Sequence, residues 1–385
     1  MCGTIVRQLR VGSTFTNRGR RCKALFIMAQ CCPNNMETLA IDSMKRQPQK
    51  KATIKDIADL VGVHHSTVSR ALSPENNPKI SPDVVRKIQK AAKKLGYFPN
   101  ILASALKKNR SFAIGVLIPD LMNQIFPPII RGIQDTAEPE GFSVLISNTD
   151  DEEEKEMLAL RSLRSRSIEG LIVATAHRKD PVVDECIDRN IPFVLVNRTV
   201  DNPDVSAVII DEDFAMRSIL GHLTSANHKR IGHIAGPQQT STGFERATFF
   251  SNYMRLHNLG ENLIEATEKF TIEEGKRAFH ELYRRDSSIT AIVACSDLIA
   301  LGCLDAIEEL GLRVPEDISV VGNNNIPMVA RMTPGLTTIS IPKYEMGVQA
   351  ARILLDIIQQ KNNDHVVMKM RPKLIVRGTT AVNRS

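Results

Sequence analysis

The sequence predicts a small all-helical module followed by a larger α/β body. Two observations support this division. Residues 53–72 show two short helical patterns separated by a glycine, whereas from residue 112 onward short apolar runs alternate with helical segments. The 385 residues are enough for two or three domains of about 100–200 residues each.

Charge is distributed unevenly along the chain. The formal net charge is +7, and residues 44–110 carry 15 lysines and arginines against 4 acidic residues. The remainder from residue 111 onward is net acidic. A basic face on a small module is typical of phosphate binding, and the alternative is an ordinary solvated surface.

The segment 53–72 predicts a helix-turn-helix. Thr53 is a suitable N-cap for a helix over Ile54–Val61, and Gly62 supplies the tight turn that follows. In such a unit the second helix lies in the major groove of DNA. Its polar side carries His65, Ser66, Ser69 and Arg70. Arg70 pairs with a guanine edge in one interpretation and contacts only phosphate in the other.

A third helix follows, with Ser81 as N-cap, Pro82 at its first position and Gly96 at its end. The predicted inward-facing residues of this helix are Val84, Val85, Ile88, Ala91, Ala92 and Leu95. Its outer face holds Arg86, Lys87, Lys90, Lys93 and Lys94, which either approach phosphates or are solvated.

The body contains the apolar runs FAIGVLIP, FSVLIS, GLIVAT, PFVLVN, RIGHIAG, TAIVAC and ISVVG. Continuous apolar runs of this length predict parallel strands buried on both faces, in one large sheet or in two lobes. Ligands bind at the carboxyl ends of such strands. The residues at these ends suit a small polyhydroxylated or heterocyclic ligand: 120–126, Asn148, Asn197, Arg198, 238–246, Asp297 and 323–325.

Two segments, ATIKDIADLVGVHHSTVSRALS and ISPDVVRKIQKAAKKLGYFPNILASALKK, resemble the lactose-repressor (LacI/GalR-type) family of bacterial transcriptional regulators. The resemblance extends over residues 51–385. It implies a helix-turn-helix DNA-binding domain at 47–98, a hinge helix and linker at 99–110, and a two-lobed, periplasmic-binding-protein-like effector domain at 111–385. The chain would cross between the lobes near residues 209, 338 and 365.

The resemblance also implies partners, namely double-stranded operator DNA, a second copy of the chain and a small effector such as a sugar or nucleoside. Leu106 matches the residue that such repressors wedge between base steps, and a leucine packed in the dimer is the alternative. The predicted DNA-binding residues are Thr53, His64, His65, Ser66, Thr67, Ser69, Arg70, Asn100, Ala103, Leu106 and Lys107, of which the four from Asn100 onward are implied by the resemblance.

The predicted effector-binding residues are Asn123, Phe126, Asn197, Arg198, Thr242, Arg246, Asp297 and Asn324. Two of them have structural alternatives, since Asp297 could only cap the helix that begins at Leu298 and Phe126 could be plain core. The sequence departs from the family pattern at several positions: His64 for a usual Ser, Ser104 for the hinge Arg, a longer loop at 73–79, Asn197, Asn324 and Asn325 for Asp, and Phe249 for Gly.

Several classes of protein are disfavoured. The sequence has no Walker loop, GxSxG elbow, HExxH motif or zinc-ligand spacing, so neither an enzyme nor a cofactor or metal site is predicted. An α/β binding protein or enzyme without a DNA role is the alternative function. No apolar run reaches the roughly 18 residues of a membrane span.

The remaining features favour a regulator in the bacterial cytoplasm, at the nucleoid. Seven scattered cysteines without a CxxC pair suggest a reducing compartment, with Cys295 and Cys303 as buried thiols. Residues 1–46 are interpreted as a disordered extension or a start assigned too early, with a targeting peptide as the alternative. No leucine heptad follows the last predicted strand, which favours a homodimer over a tetramer.

Overall fold

The computed structural model describes residues 52–72, 80–97, 110–260, 263–361 and 364–384. The chain divides into two compact units, Met1–Tyr97 and Phe98–Ser385. The interpretations of residues 1–46, of the loop at 73–79 and of the hinge helix lie outside the described residues and remain predictions.

The first unit contains three helices, α1 (Ile54–Val61), α2 (His65–Ala71) and α3 (Pro82–Lys94). Gly62 ends α1 in the left-handed region with φ of 72°, and its backbone N–H donates to the carbonyl of Ala58. The three helices pack around one small apolar core, formed by Ile57, Ala58, Val68, Ile88, Ala91 and Ala92. The predicted helix-turn-helix and third helix are therefore confirmed.

Two details of the third helix differ from the prediction. Ser81 stands at the N-cap position, but its side chain makes no capping hydrogen bond. Leu95 was predicted to face inward, yet it is 37% exposed. The helix has already ended at Leu95, which is its C-cap, so the helical periodicity no longer directs this side chain toward the core.

The second unit is built on two six-stranded sheets, one in each lobe. The first lobe has the strand order β11-β5-β4-β3-β1-β2, and the second lobe has the order β12-β10-β9-β8-β6-β7. The strands are β1 (Ala113–Ile118), β2 (Ser143–Asn148), β3 (Gly170–Val173), β4 (Phe193–Val196), β5 (Ala207–Ile210), β6 (Ile231–Ala235), β7 (Leu263–Ala266), β8 (Ala291–Ala294), β9 (Ser319–Asn324), β10 (Thr337–Ser340), β11 (Val367–Met370) and β12 (Lys373–Ile375).

Helices cover both faces of each sheet. They are α4 (Phe126–Ala137), α5 (Glu153–Ser165), α6 (Pro181–Asp188), α7 (Glu212–Ser225), α8 (Ser241–Leu256), α9 (Ile272–Arg285), α10 (Asp297–Glu309) and α11 (Lys343–Ile358). A short 3-10 helix spans Pro327–Ala330. Among the described residues, no helix is long and apolar enough to cross a membrane.

The chain passes between the lobes three times. It enters the second lobe at 210–212, because α7 packs against α8 and β12. It returns at 340–343, since α11 packs against α4 and strands of the first sheet, and it crosses again at 370–373. The two-lobed architecture is thus confirmed, with the third crossing a few residues after the expected position.

The apolar runs of the sequence correspond to seven strands: β1, β2, β3, β4, β6, β8 and β9. Five strands were missed. β7, β10, β11 and β12 contain polar or charged residues, so none of these four forms a continuous apolar run, whereas β5 is the short apolar run AVII, which was not recognised. The expectation of parallel strands fails at one place, because β12 pairs antiparallel with β10.

Cys295 and Cys303 are buried free thiols, as predicted. Burial raises the pKa of Cys295 to about 12. The thiol therefore stays protonated and behaves as a small apolar side chain.

Glycines allow one close helix pair in each lobe. A Cβ on Gly347 of α11 would lie 2.0 Å from the carbonyl oxygen of Ile129 in α4, and one on Gly132 would lie 2.1 Å from that of Tyr344. In the second lobe, Gly275 of α9 and Gly302 of α10 make the same kind of approach. Even a methyl group at these positions would force the backbones apart.

We expect Gly347→Ala to lower the free energy of unfolding by about 2 kcal/mol or more, because overpacking at a backbone contact cannot relax. Gly221→Ala in α7 is the matched control, since its Cβ would come no closer than 4.0 Å to the Tyr253 hydroxyl. The control should instead stabilise by about 0.5–1 kcal/mol through helix propensity. Urea unfolding followed by circular dichroism measures both, and equal effects would contradict the close-packing assignment.

Candidate functional site

Helix α2 presents the predicted reading residues on its outer side. His65, Ser69 and Arg70 are exposed, whereas Ser66 and Thr67 are half-buried. The Nε of Arg70 donates to the carbonyl of Ser66 at 3.2 Å, which holds the side chain along the helix. Val68, on the opposite side of α2, is fully buried. An exposed polar face backed by an anchored apolar residue suits a helix that enters a groove of DNA.

Two predicted DNA-binding residues outside α2, Thr53 and His64, act as helix caps. Thr53 and Asp56 form a capping box, in which the Asp56 amide donates to the Thr53 hydroxyl at 3.4 Å and the Thr53 amide donates to the Asp56 carboxylate at 2.7 Å. His64 caps α2 with its Nδ1, which accepts from the Ser66 amide at 3.4 Å. His64 therefore takes over the capping role despite being a weaker cap than Ser.

The remaining predicted DNA-binding residues lie outside the described part of the chain. They are Asn100, Ala103, Leu106 and Lys107.

A cavity of about 220 Å³ lies between the two lobes of the second unit. It is formed at the carboxyl ends of strands of both sheets, where a ligand of an α/β protein is expected. All eight predicted effector-binding residues line this cleft cavity: Asn123, Phe126, Asn197, Arg198, Thr242, Arg246, Asp297 and Asn324. The structure thus brings together side chains that are up to two hundred residues apart in sequence.

Arg246 of α8 is buried in the cavity wall and is held by a buried acid. Its Nε donates to Oε2 of Glu212 at 2.8 Å and its Nη2 to Oε1 at 2.5 Å. Its Nη1 donates to the carbonyl oxygen of Cys295 at 2.5 Å. Three of the five guanidinium N–H groups are used in this way, which leaves one on each terminal nitrogen for other acceptors.

Arg198 occupies the corresponding place in the first lobe. Its Nη1 lies 2.7 Å from Oδ1 of Asp151 and 3.0 Å from the carbonyl oxygen of Thr175. Only 4% of the Arg198 side chain is exposed. Its guanidinium carbon also lies 5.6 Å from the centre of the Phe270 ring, which belongs to the second lobe.

Asp297 is fully buried, and both of its oxygens accept hydrogen bonds. Oδ2 accepts from the Ile326 amide at 2.7 Å, and Oδ1 accepts from the Thr338 hydroxyl at 2.5 Å. Burial raises the pKa of Asp297 to about 6, although both hydrogen bonds oppose this shift. The interpretation of Asp297 as the helix cap is wrong, because the Ser296 hydroxyl caps α10 by accepting from the Ile299 amide.

Phe126 belongs to the apolar core of the first lobe and also lines the cavity, so its two interpretations are compatible. Asn324 is the last residue of β9 and has a φ of 111°. Lys343, at the start of α11, holds this strand end by donating to the carbonyls of Asn324 and Asn325 at 2.5 and 3.2 Å. Asn148 is not among the cavity-lining residues, and its Oδ1 accepts from the Leu121 amide.

Sequence reasoning missed Glu212, Asp151 and Phe270. Glu212 follows β5 and Phe270 follows β7, two strands that were not recognised, so the residues at their ends were not considered. Asp151 comes three residues after β2, just beyond the predicted Asn148. The signal for Glu212 is the short apolar run AVII at Ala207–Ile210, because Glu212 comes two residues after the end of that run.

Two family models match the chain, one for lacI-family bacterial regulatory proteins at residues 53–100 and one for the periplasmic binding protein-like domain at residues 220–380. The transcriptional repressor CytR of Escherichia coli K12 is 33% identical over 341 residues, which cover 88% of this chain and 99% of CytR. The chain belongs to the LacI family. The repressor PurR of Serratia proteamaculans is 32% identical to it, covering 86% of this chain and 97% of PurR.

Solved structures give the same result for this LacI-family protein. A Lac repressor dimer bound to operator and the anti-inducer ONPF is 26% identical, covers 86% of this chain and 100% of its own, and has a TM-score of 0.78. The complex of the regulator CelR with cellobiose is also 26% identical, covers 85% of this chain and 99% of its own, and has a TM-score of 0.66. The chain is accordingly a DNA-binding transcriptional regulator.

We expect Glu212→Ala to lower the free energy of unfolding by about 3–5 kcal/mol, because it leaves the buried Arg246 charge without its partner. Asp213→Ala is the matched control, since Asp213 is the next residue of α7 and pairs with Arg217 at the surface. That exposed pair should contribute less than about 1 kcal/mol. Denaturant unfolding measures both variants, and a loss for Glu212→Ala no larger than that of the control would contradict the role of this ion pair.

Proposed function

We propose that this protein represses transcription by binding operator DNA as a homodimer, and that a small neutral effector in the cleft cavity adjusts its affinity for DNA. The observation that carries this proposal is the convergence of all eight predicted effector-binding residues on one cavity. The same chain carries a helix-turn-helix whose second helix exposes its polar side. A sugar-binding protein or an enzyme without a DNA role would have no use for that unit.

DNA recognition is proposed to use α2 in the major groove and Leu106 in the minor groove. Bases would be read by His65, Ser66 and Arg70, while Leu106 unstacks one base step. Two copies of the unit would bind half-sites about 34 Å apart on a near-palindromic operator. The Lac repressor, which this chain resembles, binds its operator as a dimer.

Control by the effector requires two states of the effector domain with different affinities for the ligand. Both lobes contribute to the cavity, Arg198 from the first and Arg246 from the second. A ligand that contacts both side chains would favour one relative arrangement of the lobes. It can shift DNA affinity only by the ratio of its own affinities for the two states.

The charges in the cavity wall favour a neutral effector, such as a sugar or a nucleoside. Among the described lining residues, each buried arginine already has a carboxylate partner, Arg198 with Asp151 and Arg246 with Glu212. An anionic ligand group buried against these two arginines would lose its hydration and meet cations that carboxylates already neutralise. A neutral ligand with hydrogen-bond acceptors can still use the two remaining N–H groups of Arg246.

We propose that the protein is not an enzyme. We also propose that it acts in the cytoplasm, where the DNA that it binds is located. Ser296, the hydroxyl nearest to the buried Asp297 in sequence, is committed to capping α10. Asp297 itself is held by two donors. Neither group is arranged as a nucleophile with an adjacent base.

Arg70→Ala tests the base-reading role. We expect the variant to lose about 1–3 kcal/mol of discrimination at one base pair while it still binds DNA. Binding-site selection with randomised operators measures this preference. The matched control is Arg86→Ala on α3, which is also an exposed arginine but lies outside the reading helix. A uniform loss of affinity across all sequences would instead assign Arg70 to phosphate contact.

Paired ligands test the neutrality of the effector. Uridine and ribose should each bind at least as tightly as uridine 5′-monophosphate and ribose 5-phosphate, because both buried arginines of the cavity wall are already neutralised by carboxylates. Isothermal titration of the full-length protein measures the four affinities. Tighter binding of either phosphorylated compound would contradict the proposal.

A further inference from the structure

The two lobes also touch at a place outside the cleft cavity. Arg178 lies in the loop between β3 and α6 of the first lobe, and its backbone N–H donates to the carbonyl of Gln239 in the second lobe at 2.8 Å. Its guanidinium carbon lies 3.7 Å from the centre of the Phe244 ring, in the first turn of α8. Neither Arg178 nor Phe244 is among the residues that line the cavity.

The first lobe holds the Arg178 side chain in position for this contact. Its Nε donates to Oδ1 of Asp201 at 2.9 Å, and the Asp201 amide donates to the Arg178 carbonyl at 2.8 Å. A planar guanidinium that is already fixed can stack on an aromatic ring without losing much conformational entropy. Phe244 is 38% exposed, so the contact lies partly in solvent.

A second contact between the lobes lies at the same end of α8. The backbone N–H of Thr199, after β4, donates to the hydroxyl of Ser241 at 2.9 Å. Two backbone amides of the first lobe, those of Arg178 and Thr199, thus donate to the second lobe. Both hydrogen bonds break if the lobes separate here, so the two amides report on closure.

The connections between the lobes permit such a separation. The chain crosses at 210–212, 340–343 and 370–373, and the contacting residues belong to none of these segments. Opening about the crossings would therefore move the Arg178 loop away from α8 without breaking a covalent bond. Noncovalent contacts at this place then help to decide the fraction of molecules that are closed.

We propose that Arg178 and Phe244 form a latch that holds the lobes closed, and that Arg178 is a positioning residue for the effector. The latch adjusts effector affinity from outside the cavity, because the apparent dissociation constant of a ligand that needs the closed state varies inversely with the closed fraction. The effect on affinity rests on the proposed function, whereas the latch itself can be tested without an effector.

Amide hydrogen exchange on the full-length protein tests the latch. Phe244→Ala should speed exchange at the Arg178 and Thr199 amides by about twofold to fivefold, the effect of losing one exposed cation–π contact on an opening equilibrium. Phe244→Leu, which keeps an apolar side chain, should act in the same direction. Leu256→Ala is the matched control, because Leu256 lies on the same helix and is 78% exposed.

A double-mutant cycle separates the latch from general loosening of α8. In an Arg178→Ala background, Phe244→Ala should change exchange at the Thr199 amide by less than in the wild-type background. Unchanged exchange in Phe244→Ala, an equal change in Leu256→Ala, or fully additive effects of the two latch substitutions would each overturn the proposal. Operator binding by the same variants without effector shows separately whether the proposed DNA-binding function holds.

Discussion

The buried ion pair between Arg246 and Glu212 connects the cavity wall to a segment in which the chain crosses between the lobes. Glu212 is the first residue of α7, at the end of the first crossing between the lobes, and Arg246 lies in the cavity wall on α8. Both side chains are almost completely buried. Because an unpaired buried charge is so costly, the position of the crossing and the position of Arg246 in the cavity wall cannot change independently.

Other buried polar groups of the cavity wall also have partners within the protein. Arg198 is paired with Asp151, and Asp297 is held between the Ile326 amide and the Thr338 hydroxyl. Groups fixed in this way are preorganised, so that a ligand does not have to order them on binding. They also discriminate, because a ligand that displaces one partner leaves another buried group unsatisfied.

Close helix packing stiffens each lobe, whereas the Arg178 loop of the first lobe meets α8 of the second through a few polar contacts. The pairs α4–α11 and α9–α10 approach so closely that only glycine fits at their contact points. Across the cleft, by contrast, the Arg178 loop meets α8 through single hydrogen bonds and one ring contact. Rigid lobes joined by weaker contacts are the arrangement expected of a domain that responds to a ligand by moving its lobes.

The sequence by itself determined the helix-turn-helix, seven of the twelve described strands and the eight side chains that meet in the cavity. The helix-turn-helix and the strands depend on local signals, namely the glycine turn at Gly62 and continuous apolar runs. The cavity residues follow such runs, and the resemblance to the LacI family singled out Phe126, Thr242, Arg246 and Asp297 among them. Only the tertiary structure decided the partner of Arg246, the role of Asp297 and the strands β10 to β12. The side-chain contacts join residues far apart in the chain, and none of these three strands is a continuous apolar run, so neither leaves a local pattern.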